Sequence, residues 1–74
     1  GDLSEQECIN NGLEFLSAMG IENMKAVWTE TNGTYTTVNY AYEKGGVIFY
    51  GDLIKLNICR EKVKFSEWKL KIII

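Results

Sequence analysis

A chain of 74 residues has room for one small domain, and its composition, 46% apolar and 24% charged, is that of a globular protein and not of a disordered one. A formal charge of −2 gives no electrostatic reason to bind phosphate backbones or anionic lipid, which removes nucleic acid from the expected partners. No stretch approaches the roughly 20 apolar residues that a membrane span needs, and no signal-peptide pattern opens the chain.

The first predicted element is a helix from about Ser4 to Met19. Ser4 followed by Glu7 is a capping box, with Leu3 and Cys8 at the two staple positions and the carboxylates of Glu5 and Glu7 at the positive end of the helix dipole. Cys8, Ile9, Gly12, Leu13, Leu16 and Met19 recur at three- and four-residue spacing and make one apolar stripe, which Phe15 widens. Gly12 on that stripe is expected to let the helix approach its packing partner closely. Gly20 supplies the left-handed residue that ends the helix, after which Ile21 folds back on Leu16.

After Gly20 the chain has strand character. Met24 to Thr31 forms a first strand, closed by a tight turn at Asn32-Gly33. Thr34 to Tyr42 is almost wholly β-branched and aromatic. Lys44-Gly45-Gly46 reverses the chain into a third strand, Val47 to Cys59, bent where Gly51-Asp52 interrupts it. Glu61-Lys62 precedes a fourth strand from Val63, with a slip in side-chain parity between Phe65 and Trp68 that predicts a bulge.

Parity divides the faces. Val38, Tyr40 and Tyr42 share one side with Ile54, Leu56 and Ile58, and the two tyrosines are expected in the core. Lys55 and Asn57 take the other side, with Thr37 and Asn39 as counterparts. One apolar and one mixed face predict an α+β fold: an N-terminal helix packed on one face of an antiparallel sheet of about four strands.

The chemistry is sparse. Histidine is absent, which removes the commonest general base and the commonest metal ligand together, and no nucleotide, hydrolase or metalloprotease motif occurs. No catalytic residue, cofactor site or metal site is expected. Cys8 and Cys59 are too far apart for a CxxC site, and a bond between them requires the helix to lie over the facing side of that strand. Asp52 either shapes a partner contact or caps a kink by accepting from nearby backbone amides. Among the aromatics, Tyr35 and Trp68 are the ones expected at exposed contacts.

The succession Leu13-Glu14-Phe15-Leu16, Met19 to Met24, Thr37 to Tyr42, Gly46 to Tyr50 and Asp52 to Leu56 resembles a PepSY domain of the YpeB type, known from germination proteins of endospore-forming bacteria. Tyr50 to Leu56 is its most specific part. The resemblance runs from about Leu3 to Glu67 and departs at Gly51, where the family commonly has proline, and in the unusually apolar Trp68 to Ile74. It implies no catalytic activity and a role in spore-cortex breakdown alongside a cortex-lytic peptidoglycan hydrolase, which the domain would stabilise or inhibit. The alternatives are a structural repeat packed on sister PepSY domains and a propeptide-like peptidase inhibitor.

The expected location is the spore envelope, outside the cytoplasmic membrane. Gly1, with the character of a tag remnant, and the apolar finish at Ile72-Ile73-Ile74 suit a single domain excised from a longer protein whose anchor lies elsewhere. The partner-binding residues expected on the uncovered sheet face and at the kink are Tyr35, Asp52, Lys55, Asn57 and Trp68, and a homodimer through the C-terminal strand is a candidate assembly.

Overall fold

A computed structural model describes residues 2–61 and 72–73. Helix α1 spans Glu5–Ala18 and is followed by an antiparallel sheet in chain order, β1 (Met24–Asn32), β2 (Tyr35–Lys44), β3 (Val47–Cys59) and the two-residue β4 (Ile72–Ile73). Three long strands carry the sheet, and among the described residues the fourth contributes the pairs Asn57–Ile73 and Ile58–Ile72. The expected start of that strand at Val63, and the bulge between Phe65 and Trp68, lie outside the described residues.

Both ends of α1 are built from local sequence. The Ser4 hydroxyl accepts from the Glu7 amide at 3.1 Å while the Ser4 amide donates to the Glu7 carboxylate at 2.9 Å, so the capping box is complete. At the other end the Ile21 amide donates to the Leu16 carbonyl and the Gly20 amide to that of Ser17, with Gly20 at φ 83°, a Schellman closure. Ile21 is thereby turned onto the core.

The core lies between α1 and one face of β2 and β3. Cys8 and Leu16 pack against Val38, Tyr40, Leu56 and Ile58, with Leu3, Ile9 and Leu13 at the margin. Gly12 makes this approach feasible. A Cβ there would overlap the Tyr40 hydroxyl and sit 2.8 Å from its Cζ and 3.1 Å from Ile58 Cδ1. The ring occupies that space and donates its hydroxyl to the Ile9 carbonyl at 2.9 Å, joining sheet to helix. Without that acceptor the buried phenol would be an unpaired polar group.

Two turns set the register. Between β2 and β3, Gly45 and Gly46 both have positive φ, 60° and 80°, as a two-residue type I′ hairpin requires. Between β1 and β2 the loop is Gly33-Thr34, one residue later than Asn32-Gly33, because Asn32 still pairs with Tyr35 and Gly33 at φ 60° takes the first loop position. Glycine in that place is the type II′ pattern. Arg60 then ties three segments together: its Nε donates to the Leu3 carbonyl and its NH1 to the Gly33 carbonyl, both at 3.2 Å, while its own amide bonds the Thr34 carbonyl.

The ladder is broken twice. Val27 is an extra residue between the pairs Ala26–Tyr40 and Trp28–Asn39. Between the pairs Tyr40–Ile54 and Tyr42–Phe49, Ala41 alone spans Tyr50, Gly51, Asp52 and Leu53, which places the expected bend at Gly51-Asp52. Tyr42 is not a core residue. It shares the face of Tyr40, but it lies past the reach of α1 and is exposed. Cys8 and Cys59 are free. Cys59 pairs with Tyr35, on the side of the sheet opposite to the core residue Ile58, so it points away from Cys8.

Candidate functional site

Two surfaces remain once the core is assigned. The first is the end of the β2–β3 hairpin beyond α1. There Tyr42, Val47, Phe49, Tyr50 and Leu53 are between 37% and 64% exposed. Tyr42 and Phe49 face each other across the strands, with ring centroids 5.7 Å apart and planes tilted by 41°. The four-residue excursion opens a shallow depression of about 670 Å³ lined by Tyr42, Ile48, Phe49, Tyr50, Gly51 and Asp52. Asp52 is exposed, and among the described residues nothing hydrogen-bonds its carboxylate. The excursion is therefore not held by an Asp52 cap onto neighbouring amides, as one sequence reading expected; it leaves a free negative charge at the rim of an apolar patch.

The second surface is the sheet face away from α1, over which no described helix or strand packs. Residues paired across adjacent strands point to the same side, so the register orders this face into rows. Trp28, Asn39 and Lys55 form one row; Glu30, Thr37 and Asn57 the next; Asn32, Tyr35 and Cys59 the third. The Thr37 hydroxyl donates to the Asn57 carbonyl oxygen at 2.6 Å. Trp28 is 57% exposed, whereas Asn39 is 5% exposed and its Nδ2 has no hydrogen-bond partner among the described residues.

Of the residues expected to bind a partner, Tyr35, Lys55 and Asn57 fall on this second face in neighbouring rows, with Tyr35 and Asn57 half-buried and Lys55 exposed. Asp52 belongs to the hairpin end and not to that group. Trp68 lies outside the described residues. Sequence reasoning placed Asn39 on this face and Asp52 at the kink, but it did not single out Trp28 or the apolar side chains around Asp52 as contacts. The row containing Trp28 depends on the bulge at Val27, and strand parity without that bulge puts the indole on the wrong face.

Two ionisable groups beneath the helix, Cys8 and Tyr40, are perturbed. Burial raises the Cys8 thiol above its ordinary value of 9.0, against a lowering hydrogen bond with Thr36 and the nearby Arg60 charge. Burial also pushes the Tyr40 phenol up to about 12, with a smaller contribution from Cys8. These groups are sealed inside the core, so neither is placed to meet a substrate. Among the described residues, no group of three or more His, Cys, Asp or Glu side chains could hold a metal ion, and no helix is long and apolar enough to cross a membrane.

The family model described as YpeB sporulation, PepSY1 and PepSY2 domains matches residues 1–60, the helix and the three long strands. Neither the curated proteins nor the solved structures give a match. The match spans most of the chain, and the protein belongs to this family of generally non-catalytic domains, with a role in sporulation and germination.

Proposed function

We propose that this member of the YpeB PepSY family is a non-catalytic docking and regulatory domain, and that it docks through the free end of its β2–β3 hairpin. The observation that supports this reading is the set of five exposed apolar side chains there, of which Tyr42, Phe49 and Tyr50 line a depression together with the unpaired carboxylate of Asp52. Contiguous exposed apolar surface on a soluble domain marks an interaction site more often than not. Aromatic anchors in a pocket are the side chains that carry most interface energy. In this reading Phe49 and Tyr50 are the anchors, and Asp52 fixes orientation by pairing with a cation of the partner.

The partner we propose is a cortex-lytic peptidoglycan hydrolase in the spore envelope, outside the cytoplasmic membrane, which docking stabilises or holds inactive. The family description itself names two PepSY domains, and this favours a second reading, in which the same surface packs on a sister domain. One experiment separates the two. A photoreactive residue in place of Tyr50 in the intact protein, irradiated in dormant spores, gives an adduct with the hydrolase under the first reading. An adduct confined to the protein's own polypeptide supports the second. Adducts formed from Lys55 and never from Tyr50 would move the contact to the open sheet face and overturn both.

A further inference from the structure

The open sheet face has a chemistry different from that of the hairpin end, and it suggests a different ligand. Among the described residues its most exposed apolar side chain is the indole of Trp28, with no second exposed aromatic in its row or the next. Protein interfaces build their centres from several packed apolar side chains, and the described residues of this face do not supply such a centre. Around the indole stand polar groups of opposite demands. Lys55 can only donate hydrogen bonds and Glu30 can only accept them. Asn57 has its carbonyl oxygen taken by Thr37 and keeps its amide hydrogens to offer. Among the described residues neither Lys55 nor Glu30 has a hydrogen-bond or ion-pair partner.

Asn39 adds an independent sign. It lies between Trp28 and Lys55 in one row across three strands, and its amide nitrogen is buried without an acceptor among the described residues. Buried donors in native structures are almost always paired, so an orphan on a face that no described helix or strand covers calls for an explanation. An oxygen-bearing ligand seated on this row would provide the missing acceptor.

We infer that the row Trp28–Asn39–Lys55, with Glu30 and Asn57 beside it, is a carbohydrate-binding platform on which a linear oligosaccharide stacks one sugar ring over Trp28. Sugar hydroxyls both donate and accept, so one ligand satisfies Glu30 and Lys55 together. An acidic peptide would oppose Glu30, and a basic one would oppose Lys55. The apolar face of a pyranose ring covers an isolated indole without requiring an apolar surround. This site is separate from the hairpin end, and each can fail without the other.

The test is an NMR titration of the full chain with chitotetraose and with cellotetraose, following the Trp28 indole N–H, which is assigned by its loss in Trp28→Phe. The expected result is a saturable shift of the Trp28, Asn39 and Asn57 side-chain signals with at least one sugar. Trp28→Ala should weaken binding about tenfold or more, and Lys55→Ala and Glu30→Gln a few-fold each. A response to chitotetraose alone supports the inference with the acetamido oxygen as the group Asn39 meets; an equal response to both supports it with hydroxyls in that place. The double variant Phe49→Ser, Tyr50→Ser should bind sugar like the unaltered chain. No shift with either sugar at millimolar concentration, unchanged affinity in Trp28→Ala, or loss of sugar binding in the hairpin variant would each overturn the inference.

Discussion

The two halves of the β2–β3 hairpin are made of the same kinds of residue and meet different fates. Near one end, Val38, Tyr40, Leu56 and Ile58 are buried under α1; toward the other, Tyr42, Val47, Phe49 and Leu53 stand in solvent. The difference is one of length. A 14-residue helix is about 21 Å long, while a 10-residue strand such as β2 runs to about 33 Å before its turns are added. The molecule's long axis of 41 Å is thus set by the strands, and the helix covers about half of it. Hydrophobic strand character says that a segment wants to be covered. It does not say how far along the strands the cover extends, and among the described residues none covers the outer half of this hairpin.

The sharpest way to break that contrast is to lift the helix. Gly12→Ala gains about 1 kcal/mol of helix propensity. The added Cβ nonetheless collides with a ring that is fully buried and fixed by its bond to Ile9. Overpacking of this kind costs about 1–3 kcal/mol and the strained hydrogen bond about 1 more, so after the propensity gain a net loss of about 1–3 kcal/mol is expected in urea unfolding. A neutral or stabilising Gly12→Ala would mean that α1 does not sit where the contrast requires.

The Tyr40 phenol gives the same interface a pH signature. Its pKa is raised from the ordinary 10.0 to about 12, chiefly by burial, so folding favours the protonated form. The stabilisation is fully present below pH 10 and is lost as pH climbs from 10 through 12, by about 2–3 kcal/mol in all. Tyr40→Phe should lose about 1 kcal/mol at neutral pH by removing the bond to Ile9, and should flatten this alkaline decline. Unfolding midpoints across pH 8 to 12 for both proteins measure it, and parallel curves would detach the alkaline loss from Tyr40.

How much of this contrast is legible in the sequence follows from the range of the forces involved. The capping box at Ser4 and Glu7, the closure at Gly20 and the paired glycines at Gly45-Gly46 are local, and the residues announce them. The pairing of Thr37 with Asn57 and of Asn39 with Lys55 follows from parity, which is regular between breaks. Tyr42 is where that reasoning fails, because its burial depends on how far a distant helix reaches and not on its own alternation. Trp28 fails for another reason: one extra residue at Val27 shifts every later side chain of β1 to the other face, and nothing in Ala26-Val27-Trp28 marks the place. Arg60 carries no motif, yet it joins the N-terminus, the first hairpin and the end of β3. Its role becomes visible only once these are neighbours. Arg60→Ala should cost about 1–2 kcal/mol, and amide exchange at Leu3 should quicken before the rest of the fold responds.

The smallest expected change in stability is the most informative about function. If the hairpin end contributes little to the fold, then Tyr50→Ser, at 64% exposure, should leave the unfolding midpoint within about 0.5 kcal/mol of the parent. Replacing the ring by a hydroxyl should make the isolated domain less sticky while abolishing the interaction proposed above, because an anchor residue can account for 2 kcal/mol or more of binding, at least about 30-fold in affinity. Stability and binding would then separate along a single hairpin, with Gly12→Ala at one end costing the fold and Tyr50→Ser at the other costing only the partner. A Tyr50→Ser variant that unfolds readily would place the ring inside this domain's own cohesive core. A stable variant that still captures the hydrolase would show that the exposed half of the hairpin is not the part that meets it.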